Sequence, residues 1–313
     1  MKQLRGFIVA LMLLLPCAAA QAQNCNFTVG YTDFGTISSI RTEPEDIVGA
    51  VSIYCNGYTT PMVRMCLNIG LADQRQMVGP SGDKVSYNLY VDPDHISIWG
   101  SVTAPSTSPL ILDLPVHPSG NIWAQEPFYG RIPPNQNITN GQYSMTFSAA
   151  QTYFVYVGYS GTPPDCKTAS APYKTAPFQV TANVGIDCDI TATPMQFPDA
   201  GLLTQALQAT SSVTVQCTQG AGYYIELDGG STLGGTMEQR KLERAGSTDT
   251  VDYQLYTTAQ RTSIWGDGTR GTWRLSILAN GMQQTFTVYG QVPAQQSKPA
   301  GKYSDTVTAT VSF

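Results

Sequence analysis

The chain has little charge, almost no histidine and no long apolar run beyond its first residues. Only 12% of its 313 residues are charged, and His95 and His117 are its two histidines. That scarcity removes much of the raw material of acid-base, metal and phosphate chemistry. There is no GxSxG elbow, no phosphate loop and no HExxH motif, each of which fixes reactive groups on a defined turn or helix. The CxxC and His-rich spacings that hold zinc are missing as well. His95 follows Asp92-Pro-Asp94 in a turn-like setting, where Asp and Pro are favoured for backbone reasons alone. The expectation is a protein that is not an enzyme, with no catalytic residue, no cofactor and no metal.

Residues 1–22 read as a secretory signal peptide. Lys2 and Arg5 precede the apolar run Phe7 to Leu15, and Ala20-Gln21-Ala22 is a small-x-small cleavage site. The run is too short for a transmembrane helix, and no later stretch approaches the ~20 apolar residues one needs. Cys17 is a poor lipid-anchor cysteine because Pro16 stands where a small residue is required. Taking Lys2 and Arg5 from the 17 basic side chains leaves 15 against 22 acidic ones, a net charge of −7. With no basic run, nucleic acid is excluded as a partner, since nothing would neutralise its phosphates.

What is abundant is Gly, Ser, Thr, Gln, Tyr and Val, a β-rich extracellular composition. About 290 residues beyond the signal suit two domains. An internal repeat locates them. Tyr87-Asn-Leu-Tyr90 leading to Ser97-Ile-Trp99-Gly100 recurs as Tyr253-Gln-Leu-Tyr256 leading to Ser263-Ile-Trp265-Gly266. Tyr129-Gly130 through Pro133, then Gly141-Gln-Tyr143-Ser144, recurs as Tyr289-Gly290 through Pro293, then Gly301-Lys-Tyr303-Ser304. Six cysteines remain after the signal, and an even number in an exported chain argues for disulfides. Cys25 and Cys55 lie 30 apart, Cys188 and Cys217 lie 29 apart, and each pair precedes its own Tyr-x-Leu-Tyr segment. The repeat therefore pairs Cys25 with Cys55 and Cys188 with Cys217, and leaves Cys66 with Cys166 by elimination.

The secondary-structure signal has period two. Thr306, Thr308 and Thr310 alternate with Val307, Ala309 and Val311, and Asp228-Gly229-Gly230, Asp267-Gly268 and Asn280-Gly281 mark turns between short segments. One helical turn near Leu202 to Leu207 is the only helical signal. The reading is an all-β chain of two tandem immunoglobulin-like β-sandwich domains.

The second repeat resembles the spore coat protein U domain family over its whole length. The resemblance is carried by Val213-Thr-Val-Gln-Cys217, Tyr253-Gln-Leu-Tyr256, Ile264-Trp-Gly-Asp-Gly268, Val288-Tyr-Gly290, Val292-Pro293 and the ending from Pro299 to Phe313. Members include subunits of archaic, Csu-type chaperone-usher pili, so the resemblance implies an incomplete pilin sandwich lacking its last strand. The acceptor edge would then be Val307, Ala309, Val311 and Phe313. The implied partners are a periplasmic chaperone, an outer-membrane usher and the donor strand of an adjacent pilus subunit. Passage through the periplasm to a pilus on the cell surface is implied with them. In the family's rod subunits a donor segment precedes the first cysteine, whereas here only Gln23 and Asn24 lie between the expected cleavage site and Cys25. The expectation is a subunit that accepts a strand without donating one, and so a tip adhesin.

A donor-like segment lies between the repeats: Phe178, Val180, Ala182, Val184 and Ile186 alternate with smaller or polar residues. It either completes the first sandwich in cis or is an ordinary first strand of the second. The expected boundaries are 1–22 signal, 23–177 first domain, 178–187 linker strand and 188–313 second domain. The first domain departs more from the family pattern, and divergent loops on a kept scaffold point to binding. Its candidates for contact with abiotic or cell surfaces are Tyr58, Pro61, Met62, Val63, Tyr153, Phe154 and Tyr156, on loops after Cys55 and after the Tyr143 strand that a loop near Asp92 would join, and Trp123, in an insertion between Ser101 and Pro127 that the second repeat lacks. Phe154 and Val155 read equally well as core of a lengthened strand, and Met62 and Val63, next to Cys66, read better as core. Trp99 and Trp265, kept in both repeats, read as packing residues. The competing functions are a structural coat or matrix protein and a sugar-binding lectin on the same fold.

Overall fold

The computed structural model describes residues 23–70, 75–170, 172–296 and 298–313; the expected signal segment, 1–22, lies outside them. Strands dominate the described residues, with one short 3-10 turn at Ala149–Gln151. The first unit contains β1 (Asn24–Val29), β2 (Thr32–Ile37), β3 (Glu45–Asn56), β4 (Met62–Ile69), β5 (Arg75–Val78) and β6 (Lys84–Tyr90). It continues through β7 (Leu110–Pro115), β8 (Ile122–Ile132), β9 (Gly141–Phe147), β10 (Thr152–Tyr159), β11 (Tyr173–Lys174) and β12 (Phe178–Val184). The second contains β13 (Cys188–Ala192), β14 (Leu207–Cys217), β15 (Gly222–Leu227), β16 (Arg240–Arg244) and β17 (Thr250–Tyr256). Its remaining strands are β18 (Leu275–Leu278), β19 (Gln284–Val292), β20 (Tyr303–Ser304) and β21 (Ala309–Ser312). No helix forms near Leu202: residues 201–206 bend and β14 begins at Leu207.

Each unit is a pair of facing sheets. The first has an eight-stranded sheet ordered β1-β3-β8-β6-β5-β9-β12-β2 and a four-stranded sheet ordered β11-β10-β4-β7. The second has a six-stranded sheet ordered β13-β14-β19-β17-β16-β20 and a three-stranded sheet ordered β18-β15-β21. The alternation of buried and exposed side chains explains why these residues make strands. Along β12, Phe178, Val180, Ala182 and Val184 are buried while the residues between them are not, the period-two pattern of a half-buried strand.

The repeated residues hold equivalent places in the two cores. Trp99 donates its indole N–H to the Leu67 carbonyl at 2.7 Å, and Trp265 donates to Ile225 at 2.9 Å. A buried arginine accompanies each tryptophan, Arg75 opposite Tyr87 and Arg240 opposite Tyr253. Arg240 donates to the Trp265 carbonyl at 2.8 Å and also to the carbonyls of Asp228 and Leu227. Such carbonyls satisfy donors that burial would otherwise leave unpaired. Burial still disfavours the charge, and pushes the Arg75 guanidinium down to about 10. The Tyr-Gly repeats have a steric reason. A Cβ on Gly130 would lie 3.0 Å from the Phe34 ring, and one on Gly290 would lie 3.0 Å from the Phe197 ring.

Three disulfides are present: Cys25–Cys55, Cys66–Cys166 and Cys188–Cys217, at sequence separations of 30, 100 and 29. The first and third join directly opposed residues of β1–β3 and β13–β14. Cys66–Cys166 instead ties β4 to the segment after β10.

Candidate functional site

Strand β12 lies inside the first sandwich. It pairs antiparallel with β9, from Phe178 opposite Phe147 to Val184 opposite Gly141, and parallel with β2, from Val180 opposite Thr32 to Val184 opposite Ile37. Phe178 stacks on Phe147 at 4.5 Å and lies parallel to Trp99 at 6.3 Å. Its inward residues complete the core. Ile186 lies just past the strand and is 39% exposed.

The second sandwich has no counterpart of β12 among the described residues. The tryptophan bonds make Leu67 equivalent to Ile225, and since Phe154 lies opposite Leu67 and Val311 opposite Ile225, Phe154 is equivalent to Val311. Two residues on, Tyr156 corresponds to Phe313. Phe154 and Tyr156 are buried, whereas Val311 is half-buried and Phe313 is 66% exposed. Tyr143 and Phe147 are likewise buried, while their equivalents Tyr303 and Val307 are half-buried, as is Ala309. Strand β20 pairs only with β16 and β21 only with β15 among the described residues. The result is one row of apolar side chains under an unpaired edge, a surface that attracts another strand.

The opposite wall is also recognisable. Phe34 of β2 meets Tyr87 edge-on at 6.2 Å, and Phe197 meets Tyr253 edge-on at 6.3 Å. Residues 194–199 thus occupy the place of β2, but they form no strand. In the first domain the hydrogen bonds of β2 to its sheet come from β12, and here that partner is missing.

The end of the first domain remote from Ile186-Asp187-Cys188 gathers loops 57–61, 116–121 and 160–165. Tyr58 N donates to Gly120 O at 3.1 Å, Val116 N to Pro61 O at 2.9 Å, and Arg64 Nη1 to Pro164 O at 3.1 Å. The Asp92 turn is elsewhere: His95 lies 3.7 Å from Asp46, whose neighbour across β8 is Arg131, toward the linker end. Four surface candidates are corrected by burial. Tyr58, Val63, Phe154 and Tyr156 belong to the core. Phe154 meets Phe27 edge-on at 5.3 Å, and Tyr156 lies 5.9 Å from the same ring. Tyr58 plugs the core end, its hydroxyl 3.3 Å from Cys25 Sγ. Met62 is half-buried, Pro61 is exposed, and Tyr153 is exposed on the flank, 4.4 Å from Tyr173. Trp123 is 62% exposed.

A family model for the Spore Coat Protein U domain matches residues 11–150 and again 174–310. The chain belongs to the Spore Coat Protein U domain family. The first match ends before β10, and the second begins at 174 and so takes in β12 together with the second sandwich. Protein U of Myxococcus xanthus is 37% identical over 161 residues, which is 46% of this chain and 88% of that protein. Among solved structures, the fold resembles a chain of the CsuC-CsuE chaperone-tip adhesion subunit pre-assembly complex from archaic chaperone-usher Csu pili of Acinetobacter baumannii. The TM-score is 0.57 at 19% identity, over 92% of this chain and 100% of that one.

On this Spore Coat Protein U pair, the remote loops are held by an ion pair. Arg64 Nε donates to Asp113 Oδ1 at 2.9 Å and Nη2 to Oδ2, while the Tyr159 hydroxyl donates to Asp113 Oδ1 at 2.9 Å. The Arg64 guanidinium holds the Asp113 carboxyl below its ordinary 3.8. A depressed carboxylate stabilises the fold above its unfolded value, and that stabilisation is lost as pH falls from 3.8 through the lower folded value. Asp113→Asn should therefore flatten the acid end of the first domain's stability profile, read as denaturation midpoints against pH. An unchanged acid limb would assign the acid loss to other carboxylates.

Two partners escaped the sequence reading. Tyr54 stands directly opposite Trp123 across β3 and β8, a pairing visible only once the register is known. Phe197 was open to inference from the Phe34 position, but the strand signal around it is broken by Pro194 and Pro198.

Proposed function

We propose that this chain is the tip adhesin of a chaperone-usher pilus, secreted through the periplasm and displayed at the cell surface for attachment and biofilm formation. The division is 23–177 for the adhesin domain, 178–187 for a strand that complements it in cis, and 188–313 for a pilin domain that accepts a strand in trans. One observation carries the reading: the same core positions are covered by β12 in the first sandwich and half-exposed in the second. A strand laid against Gly301 to Val307, as β12 lies against Gly141 to Phe147, would cover Tyr303, Val307 and Val311 and give 194–199 a partner. Its source is first a periplasmic chaperone and then, at an outer-membrane usher, the next pilus subunit. Four alternate apolar side chains at ~1.5–3 kcal/mol each supply ~6–12 kcal/mol, enough for a long-lived joint. Because β12 is used within its own chain, it is not free to complement a neighbour, which suits a terminal place in the fibre.

A coat or matrix role is the second reading, favoured by the match to the Spore Coat Protein U domain family. Periplasmic expression separates the two. The tip reading expects the full chain to accumulate only with a coexpressed cognate chaperone. It also expects a peptide with the β12 sequence, Phe178 to Ile186, to raise the melting temperature of the second domain. A chain equally stable and abundant without either contradicts strand acceptance.

A further inference from the structure

On the outer face of β1, β3 and β8, two rows of side chains cross three strands side by side. Asn26, Tyr54 and Trp123 form one row and Thr28, Ser52 and Gln125 the next, by the pairing of Asn26 with Tyr54, Tyr54 with Trp123, Thr28 with Ser52, and Ser52 with Gln125. All six are exposed, and they line a shallow open depression with no charged residue in it. The Tyr54 and Trp123 rings are 5.8 Å apart and tilted at 44°, so neither covers the other and both present area to solvent. An exposed indole on a sheet face forgoes much of the burial that usually holds tryptophan.

The indole is also held in place. His117 meets Trp123 edge-on at 6.2 Å, and its Nδ1 lies 2.9 Å from Ser119 Oγ. Asn121 donates to that same hydroxyl at 3.2 Å, and the turn closes by His117 N to Asn121 O at 2.9 Å. An aromatic platform fixed before any ligand arrives loses little freedom on binding. The trough lies at the end of β8 remote from the linker, on the part of the domain furthest from the strand-accepting one.

We infer that this trough binds a neutral polysaccharide, with pyranose rings stacked on Trp123 and Tyr54 and their hydroxyls bonded to Asn26, Thr28, Ser52 and Gln125. A pyranose ring has an apolar C–H face and a rim of uncharged hydroxyls, which matches aromatic faces bordered by amides and hydroxyls. The lack of charge gives an anionic polymer or a basic peptide no counterpart. A purely apolar surface would leave the four polar side chains without a role and would strip them of water. The inference deepens the adhesin reading by naming a ligand class, yet the trough is contained in the first domain and needs no fibre.

Native affinity electrophoresis of the full chain tests it, with linear β-glucan, galactomannan and dextran as neutral gels and alginate as the anionic one. At least one neutral polymer should retard the chain, and Trp123→Ala or Tyr54→Ala should weaken that affinity about tenfold or more. Trp273→Ala, an exposed indole of the second domain, should leave it unchanged. Circular dichroism confirms folding of each variant, and stabilisation by the β12 peptide, measured on the same samples, reports strand acceptance separately. Absence of retardation in every neutral gel overturns the inference, as do retardation indifferent to Trp123, equal retardation by alginate, and a change of self-association in Trp123→Ala in place of a change in sugar affinity. If peptide stabilisation persists in those cases, the tip reading stands without the saccharide.

Discussion

Phe178→Ala should destabilise the first domain by about 3–5 kcal/mol and leave the second unchanged. The side chain is buried between Phe147 and Trp99, so its removal loses transfer free energy and leaves a cavity in a rigid aromatic stack. It also weakens the one strand that bridges β9 and β2, which have no other connection in the sheet order. Gln179→Ala, on the exposed face of the same strand, is the control and should have little effect. Denaturant unfolding resolves the two domains if their transitions separate, and isolated-domain fluorescence or proteolysis assigns them. Loss confined to the second transition would mean that the linker strand belongs to the second domain after all.

The second large effect is expected at the longest disulfide loop. Replacing Cys66 and Cys166 together by alanine opens a loop of 100 residues, and loop entropy puts the loss near 4–5 kcal/mol. Opening Cys188–Cys217, a separation of 29, should cost about 3–4 kcal/mol by the same argument. The difference has a structural counterpart. Cys66–Cys166 packs with Val155, and with Val157 and Ala169 at its margin, as a small cluster outside the main core. Without it, residues 160–170 are still tied by the Arg64 bond to the Pro164 carbonyl and by the Tyr153 hydroxyl's bond to the Ser170 carbonyl. Limited proteolysis should then cut within 160–170 before either sandwich opens. Equal losses for the two bridges would show that residual structure in the unfolded chain, and not loop length, governs both.

How legible the molecule is from its sequence depends on what each pattern senses. The repeat is visible because Trp99 and Trp265, Tyr87 and Tyr253, and Gly130 and Gly290 serve the same packing in both sandwiches. Alternation also exposes β12, where one face is dry and the other wet. It fails along β10, because both faces there are covered. Phe154 and Tyr156 face the main core, and Val155 faces the disulfide cluster, so Tyr153 to Tyr156 reads as an unbroken apolar stretch. Such a run fits a sticky surface as well as a core strand, and nothing in sequence marks the short loop that folds Tyr58 back onto Cys25. Trp123 stood out because it has no counterpart in the second repeat. Its partner Tyr54 did not, since a cross-strand pair depends on register and not on sequence distance.

The acceptor groove is a property of partly covered positions. Sequence alone could mark Val307, Ala309 and Val311 as one face of a strand, but a face packed under a neighbour looks the same as a face awaiting one. The two-domain comparison within one chain distinguishes them. Hydrogen exchange by mass spectrometry, on the full chain with and without the β12 peptide, tests this most directly. Strand acceptance predicts new protection in the amides of 301–312 and 194–199, with the first domain unchanged. Protection absent from both segments, or appearing only in the first domain, would contradict it.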